Sequence, residues 1–244
     1  MTDSQTSVDP TAKPVEKKEN MLVNLLLNIV IPTLILMKLS GEQYLGTQWA
    51  VVVALAFPVL YGLKDFHSRG KVNLFSALGI ISILLTGGIS LLELDPRYIA
   101  IKEAAIPGIF AIVTLISLKT PYPLVKTFLY NDKILQTDKI AAALKQYNTE
   151  QAFEKCLINA SYLIALSFIL SSVLNYVLAH WLLIAPALHP NTEAYNDALG
   201  KMTALSFPVI AIPATLIMMG ALFYLFHRIK QLTHLTLEEI INEP

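Results

Sequence analysis

The 244-residue chain holds one cysteine, Cys156, and only 15% of its residues are charged. A single thiol cannot build a disulfide framework, so a small secreted scaffold is excluded. Soluble domains carry about a quarter charged residues. With 55% hydrophobic residues against that low charge, a soluble enzyme with one core is excluded, and so is a largely disordered chain. The 18 basic and 18 acidic side chains cancel, and no dense basic patch gives reason to expect nucleic acid. Phosphate-cradling loops ending in Lys-Ser/Thr, nucleophile elbows and His-Glu-x-x-His are absent. His67, His180, His189, His227 and His234 show no metal-ligand spacing. No carboxylate pair sits together at depth for acid–base work. Catalysis, a metal and any other cofactor are therefore not expected.

What the chain does hold is continuous apolar sequence. Six runs, Met21–Leu39, Gln48–Leu63, Leu74–Leu92, Ile99–Leu118, Leu157–Ile184 and Thr203–Phe226, read as transmembrane helices. They are continuously apolar rather than alternating, and a helix satisfies its own backbone hydrogen bonds in lipid. The second run is short unless Gly46 and Thr47 join it; the fifth is overlong and predicts a tilted or projecting helix. The expected fold is all-α and polytopic: a disordered tail over 1–20, a six-helix membrane domain over 21–228 and a C-terminal tail over 229–244. Fourteen of the eighteen Lys and Arg residues fall on the side of the two termini. Lys-rich loops stay in the cytoplasm, which predicts both termini inside, in the inner (plasma) membrane.

The connector 119–156 reads as a solvated cytoplasmic link. Pro121 and Pro123 end the fourth helix, an amphipathic turn around Leu124–Leu129 lies in the headgroup layer, and Thr137 or Asp138 caps a short helix.

Several polar groups stand where lipid would prefer none. Asn24 and Asn28 are one turn apart and face the same neighbour, as helix–helix glue or as ligands. Gly79, Ser82, Thr86 and Ser90, with Gly87 and Gly88 beside them, make a stripe of small residues for close helix packing. Ser167, Ser171 and Asn175 repeat every four residues, with His180 near the exit, marking either an interhelical seam or a wet path. Lys102 and Glu103 enter the fourth span side by side. Adjacent residues point about 100° apart on a helix, so each is expected to find a partner elsewhere or to snorkel, with Glu93 and Asp95 the candidates for Lys102. Pro32, Pro58, Pro107, Pro208 and Pro213 are expected to kink their helices.

From Pro58 to Leu118 a basic loop, Lys64 through Arg69-Gly70-Lys71, is followed by the glycine pair Thr86-Gly87-Gly88, the acidic turn at Asp95, then Tyr98-Ile99 and Lys102. Leu174-Asn175 and the closing cluster Tyr224 to Arg228 come later. This order of features is similar to the bacterial intracellular septation protein A family. The tail is longer than in that family, and the aromatics usual around its last periplasmic turn are missing. The resemblance implies an inner-membrane protein of envelope maintenance and septation, working through other envelope or division membrane proteins rather than by catalysis. The residues themselves leave open a homo-oligomer, and a small transporter or channel for a solute or lipid whose path is lined by the fifth and sixth spans.

Overall fold

A computed structural model describes residues 21–69, 74–120, 126, 130 and 135–242. The expected tail 1–20 and most of the expected headgroup turn at Leu124–Leu129 lie outside the described residues. Every long element within them is helical, and Leu135 and Ile241 form an isolated antiparallel bridge. Helix α1 covers residues 21–38 in three segments, Met21–Leu25, Leu26–Val30 and Ile31–Lys38; α2 is Gly46–Arg69, α3 Leu74–Leu91 and α4 Arg97–Ser117. Then come α5 (Thr137–Gln146), α6 (Glu150–Ile184), α7 (Glu193–Thr233) and the short α8 (Leu237–Ile240). Among the described residues, four helices are long and apolar enough to cross a membrane: Gly46–Lys64, Arg97–Ser117, Glu150–Ile184 and Glu193–Thr233. Leu22–Lys38 and Ile81–Leu91 are shorter apolar helices.

The last helix departs from expectation. It begins at Glu193 rather than Thr203 and runs 41 residues, roughly 60 Å at 1.5 Å per residue, about twice the hydrocarbon thickness. Its start is set by Thr192, whose hydroxyl oxygen accepts the Tyr195 N–H at 3.2 Å, with Glu193 in the first turn. Hydropathy misses this segment because its exposed face is polar, including the Lys201–Asp197 ion pair at 2.6 Å, while Tyr195, Leu199 and Met202 are buried.

Gly200 is the point of closest approach between α7 and α1. A Cβ there would stand 2.7 Å from Met37 Cγ, 3.1 Å from the Thr33 carbonyl oxygen and 3.3 Å from Leu36 Cβ. Helix α4 lies along α6, with Phe110 stacked on Phe168 (ring centroids 5.5 Å apart) and Ser172 Oγ donating to the Ala104 carbonyl at 2.7 Å. The second half of α7 packs on the other side of α6, where Ser167 Oγ donates to the Ala214 carbonyl at 2.8 Å.

The prolines act unequally. A widened π turn at Leu26–Val30 precedes Pro32, and another at Phe207–Ala211 holds Pro208 and precedes Pro213. A proline ring clashes with the carbonyl four residues back, and widening the turn relieves that clash. Pro58 and Pro107 sit inside helices that remain α-helical through them, with no π turn at either. A third π turn, His180–Ile184, closes α6 with no proline.

At the other end of the long helices a second core forms. Ile140 and Leu144 of α5 and Ile240 of α8 pack with Phe153, Leu225 and Ile229 from α6 and α7. Thr149 Oγ1 donates to the Leu232 carbonyl at 2.9 Å, and Gln136 N–H to the Ile240 carbonyl at 2.9 Å. The connector from 135 onward is thus a packed layer, and the expected tail is folded through residue 242. The N-cap of α5 is Gln136 without a side-chain cap, which leaves Thr137 and Asp138 in the first turn. A tight turn at Gln136, with the Thr137 N–H donating to the Leu135 carbonyl at 2.9 Å, and the bridge to the C-terminus set the helix start in place of a cap.

Two consequences are testable. Gly200→Leu should lower the thermal unfolding midpoint in detergent, by about 1–3 kcal/mol of overpacking, whereas Gly220→Ala, with open space around it, should leave the midpoint unchanged. Glu239 accepts the Thr236 N–H at 2.9 Å and pairs with Lys139 at 3.2 Å. Those contacts, the backbone bond first, hold its carboxyl below the ordinary value of 4.5. A depressed carboxyl stabilises the charged, docked form above its ordinary value and loses that contribution as pH falls through the lower folded value. Hydrogen exchange at the Ile240 amide should therefore speed up below about pH 4 beyond its intrinsic pH trend, and Glu239→Gln should be fast already at pH 7.

Candidate intramembrane site

Lys102 is the sixth residue of α4, roughly 7.5 Å below the helix start. It is 9% exposed and does not snorkel. An ammonium in such a place must have all three hydrogens engaged or its desolvation goes uncompensated. The neighbouring helix supplies what is needed. Lys102 Nζ donates to Thr86 Oγ1 at 2.7 Å, to Ser82 Oγ at 3.0 Å, with the Ser82 carbonyl at 3.3 Å, and to Glu103 Oε1 at 2.6 Å. The Thr86 hydroxyl passes its own proton to the Ser82 carbonyl at 3.0 Å.

This corrects the expectation that Lys102 and Glu103 cannot meet. Their Cβ atoms diverge, but the four-carbon stem of lysine bends back along the helix, so the ammonium lies within reach of the next carboxylate. The candidates Glu93 and Asp95 are used elsewhere. Glu93 accepts from Asn191 Nδ2 at 2.9 Å, and Asp95 caps the Arg97 N–H at 2.8 Å.

The small stripe on α3 divides by function. Ser82 and Thr86 are ligands of the ammonium rather than a bare packing surface. Gly87 does allow close packing, because a Cβ there would stand 2.7 Å from Leu55 Cδ1 on α2. Gly88 has nothing within 4 Å, and the surroundings of Gly79 lie outside the described residues.

Lys102 and Glu103 form part of the wall of a cavity of about 280 Å³ between α1, α2, α3, α4 and α7. Its polar lining is Asn28, Ser82, Thr86, Lys102, Glu103 and Thr203; Leu36, Leu55, Pro58 and Met202 make much of the apolar side. Asn28 Nδ2 donates to Asn24 Oδ1 at 2.9 Å, which links the two amides across a turn, and of the two only Asn28 reaches the cavity.

Helix α6, expected to line any path, does not border this cavity. Ser167 is a seam residue bonded to α7, and Asn175 Nδ2 donates to the Ser171 carbonyl of its own helix at 2.8 Å. His180 is exposed beside Tyr176, with ring centroids 6.3 Å apart.

One turn beyond the lining of α3 and α7 lie further buried polar groups. Asn196 Nδ2 donates to Ser40 Oγ at 3.1 Å and to the Thr47 carbonyl at 2.8 Å, and Thr47 Oγ1 donates to Asn191 Oδ1 at 2.6 Å. Asn196 Oδ1 and, on α1, Thr33 Oγ1 are buried with no hydrogen-bond partner among the described residues. Ser90 and the Tyr195 hydroxyl, also buried, face each other outside hydrogen-bonding geometry. Thr203, Gly200 and Asn196 were missed by the sequence reading, although their spacing on one face of α7 carries the signal. Among the described residues no group of three His, Cys, Asp or Glu side chains comes together to hold a metal ion.

Removing one member of the pair should cost more than removing both. Lys102→Met leaves the Glu103 carboxylate, 28% exposed, without its hydrogen-bond donor and should destabilise by about 1–3 kcal/mol. The double variant Lys102→Met/Glu103→Leu should recover part of that loss in thermal unfolding in bicelles. Compared with family models, with curated proteins and with solved structures, the chain finds no match.

Proposed function

We propose that the chain is a six-span inner-membrane protein with both termini in the cytoplasm, and that the cavity at Lys102 and Glu103 binds a small polar solute and carries it across the bilayer. The observation that carries this reading is the buried ion pair in the cavity wall. Serine and threonine alone would suffice to glue helices, whereas an ionic pair kept in hydrocarbon is costly and belongs with substrate or ion pathways. Buried polar side chains at Ser90, Tyr195 and Asn196 lie about one turn further along α3 and α7, towards the end of the bundle away from α5 and α8.

The topology is supported by charge and by aromatic placement. Tyr44, Trp49, Tyr98 and Trp181 are all exposed and fall in the turn before α2, at the starts of α2 and α4, and at the end of α6. These positions share one membrane face in a six-span arrangement and match an interfacial aromatic belt. The α1 and α3 helices, at 17–18 residues, suffice for spans at the short end of the usual range.

A second reading, a septation or envelope protein acting through partner contacts, draws on the resemblance at Thr86-Gly87-Gly88, Asp95, Tyr98-Ile99 and Lys102. It also draws on the folded cytoplasmic layer of α5 and α8, a surface that a partner can use.

With Cys156 replaced by Ser, Lys145→Cys should react with an impermeant thiol reagent only from the inside and His189→Cys only from the outside; the reverse pattern overturns the topology. Proteoliposomes tested with a panel of labelled small solutes should show saturable uptake that Lys102→Met abolishes at unchanged protein abundance. A full panel without uptake, together with cross-linking of the intact protein to a division or envelope protein in cells, would favour the second reading.

A further inference from the structure

The charges on the cavity wall cancel. Lys102 and Glu103 contribute one of each sign, 2.6 Å apart, and no other Asp, Glu, Lys or Arg side chain is among the lining residues. Between helices in hydrocarbon, a ligand with a single net charge would leave one charge uncompensated. A ligand without charges meets the pair only through hydrogen bonds and gains no ion pairing from it. A ligand with one ammonium and one acid group gives each wall charge an opposite neighbour and keeps the site neutral.

The hydrogen bonds point the same way. The Lys102 hydrogens are engaged, the Thr86 hydroxyl donates to Ser82, the Thr203 hydroxyl donates to the Leu199 carbonyl at 3.1 Å, and the Asn28 amide donates to Asn24. That leaves two acceptors open, the second carboxylate oxygen of Glu103, on a side chain 28% exposed, and Asn28 Oδ1, beside two donors that suit an acid group, the Ser82 hydroxyl hydrogen and the second Asn28 amide hydrogen. Such acceptors suit an ammonium. As that ammonium draws Glu103, the Lys102 hydrogen now given to Oε1 becomes available to the ligand's anionic group. The apolar wall of Leu36, Leu55, Ile83 and Met202 suits a short aliphatic body. At about 280 Å³ the cavity sits just under the usual range for small-molecule pockets, about 300–1,000 Å³, which excludes a whole phospholipid.

Resting on the reading of this cavity as a solute site, we propose that its ligand is a small zwitterion, an ammonium and an acid group on a short apolar body. A free apolar amino acid and the ethanolamine-phosphate end of a lipid share this chemistry.

The test uses the full chain in phosphatidylglycerol nanodiscs, which contain no zwitterionic lipid, with four probes measured by calorimetry: L-leucine, isovalerate, isoamylamine and glycerophosphoethanolamine. At least one zwitterion should bind saturably and at least tenfold more tightly than both single-charge probes. Leucine as the tighter binder identifies a free solute, and glycerophosphoethanolamine a headgroup. Glu103→Gln, whose amide oxygen keeps a hydrogen-bond acceptor for Lys102, should weaken zwitterion binding at least tenfold while a cooperative melting transition shows that the protein is still folded. Isovalerate or isoamylamine binding as tightly as either zwitterion, or unchanged zwitterion affinity in Glu103→Gln, overturns the ligand class while leaving a solute site in place. No binding of any probe also overturns the ligand class, and the uptake panel then decides separately whether the cavity carries a solute.

Discussion

The arrangement of the bundle around its cavity depends on satisfying one ammonium group. Lys102 is buried where apolar helices meet, and its charge can stay there only if oxygen atoms surround it. Those oxygens come from Ser82 and Thr86 on α3 and from Glu103 beside it. The requirement fixes the rotation of α3 against α4, because Ser82 and Thr86 have to face the lysine together. With α3 so turned, Gly87 lies against Leu55 on α2. The cavity is what remains between these helices, α1 and the first half of α7.

The two long helices connect this region to a second layer. Helices α6 and α7 extend past the apolar part of the bundle, and α5 and α8 close over their ends around Ile140, Phe153, Ile229 and Ile240. At the opposite end, Asn191 links Thr47 to Glu93, and Asn196 ties Ser40 to the Thr47 carbonyl. The three turns there are thus tied by side-chain bonds alongside apolar packing at Leu39, Leu45 and Leu188. Helix α7 takes part in all three regions, and its π turn at Phe207–Ala211 lies between the half that meets α1 and the half that meets α6. A helix that packs on different neighbours along its length needs such a change of direction.

The all-helical class and the positions of the apolar helices were legible because each run is continuous and long. The start of α7 was not, because Glu193–Gly200 is amphipathic and a search for unbroken apolar sequence passes over it. Lys102 and Glu103 stood out in the sequence as charges entering a span, but their pairing with one another was not legible. Helical angles describe where side chains leave the backbone, not where a lysine ends after four methylenes. The Ser82 and Thr86 positions were seen as small residues; their second property, the hydroxyl, proved decisive once a lysine faced them. On α6 the regular spacing of Ser167, Ser171 and Asn175 suggested a path, yet two of those groups are involved in a bond within α6 itself, and the polar residue that reaches across to α4 is Ser172. Spacing identifies a face, and the partner across from it depends on tertiary packing. The packing of α5 and α8 over the ends of α6 and α7 was hidden for the same reason, since Leu135 and Ile241 meet across more than a hundred positions of chain.

The most direct test of the buried pair is a solid-state NMR recoupling measurement on the protein in lipid bilayers, with ¹⁵N at lysine side chains and ¹³C at glutamate carboxyls. Lys102 Nζ should show strong dipolar coupling to the Glu103 carboxyl carbon, as direct contact at 2.6 Å between nitrogen and oxygen requires, and no dephasing by lipid ³¹P. Coupling of Lys102 to headgroup phosphorus, with none to Glu103, would mean that the ammonium reaches the membrane surface and that the cavity has no ionic wall.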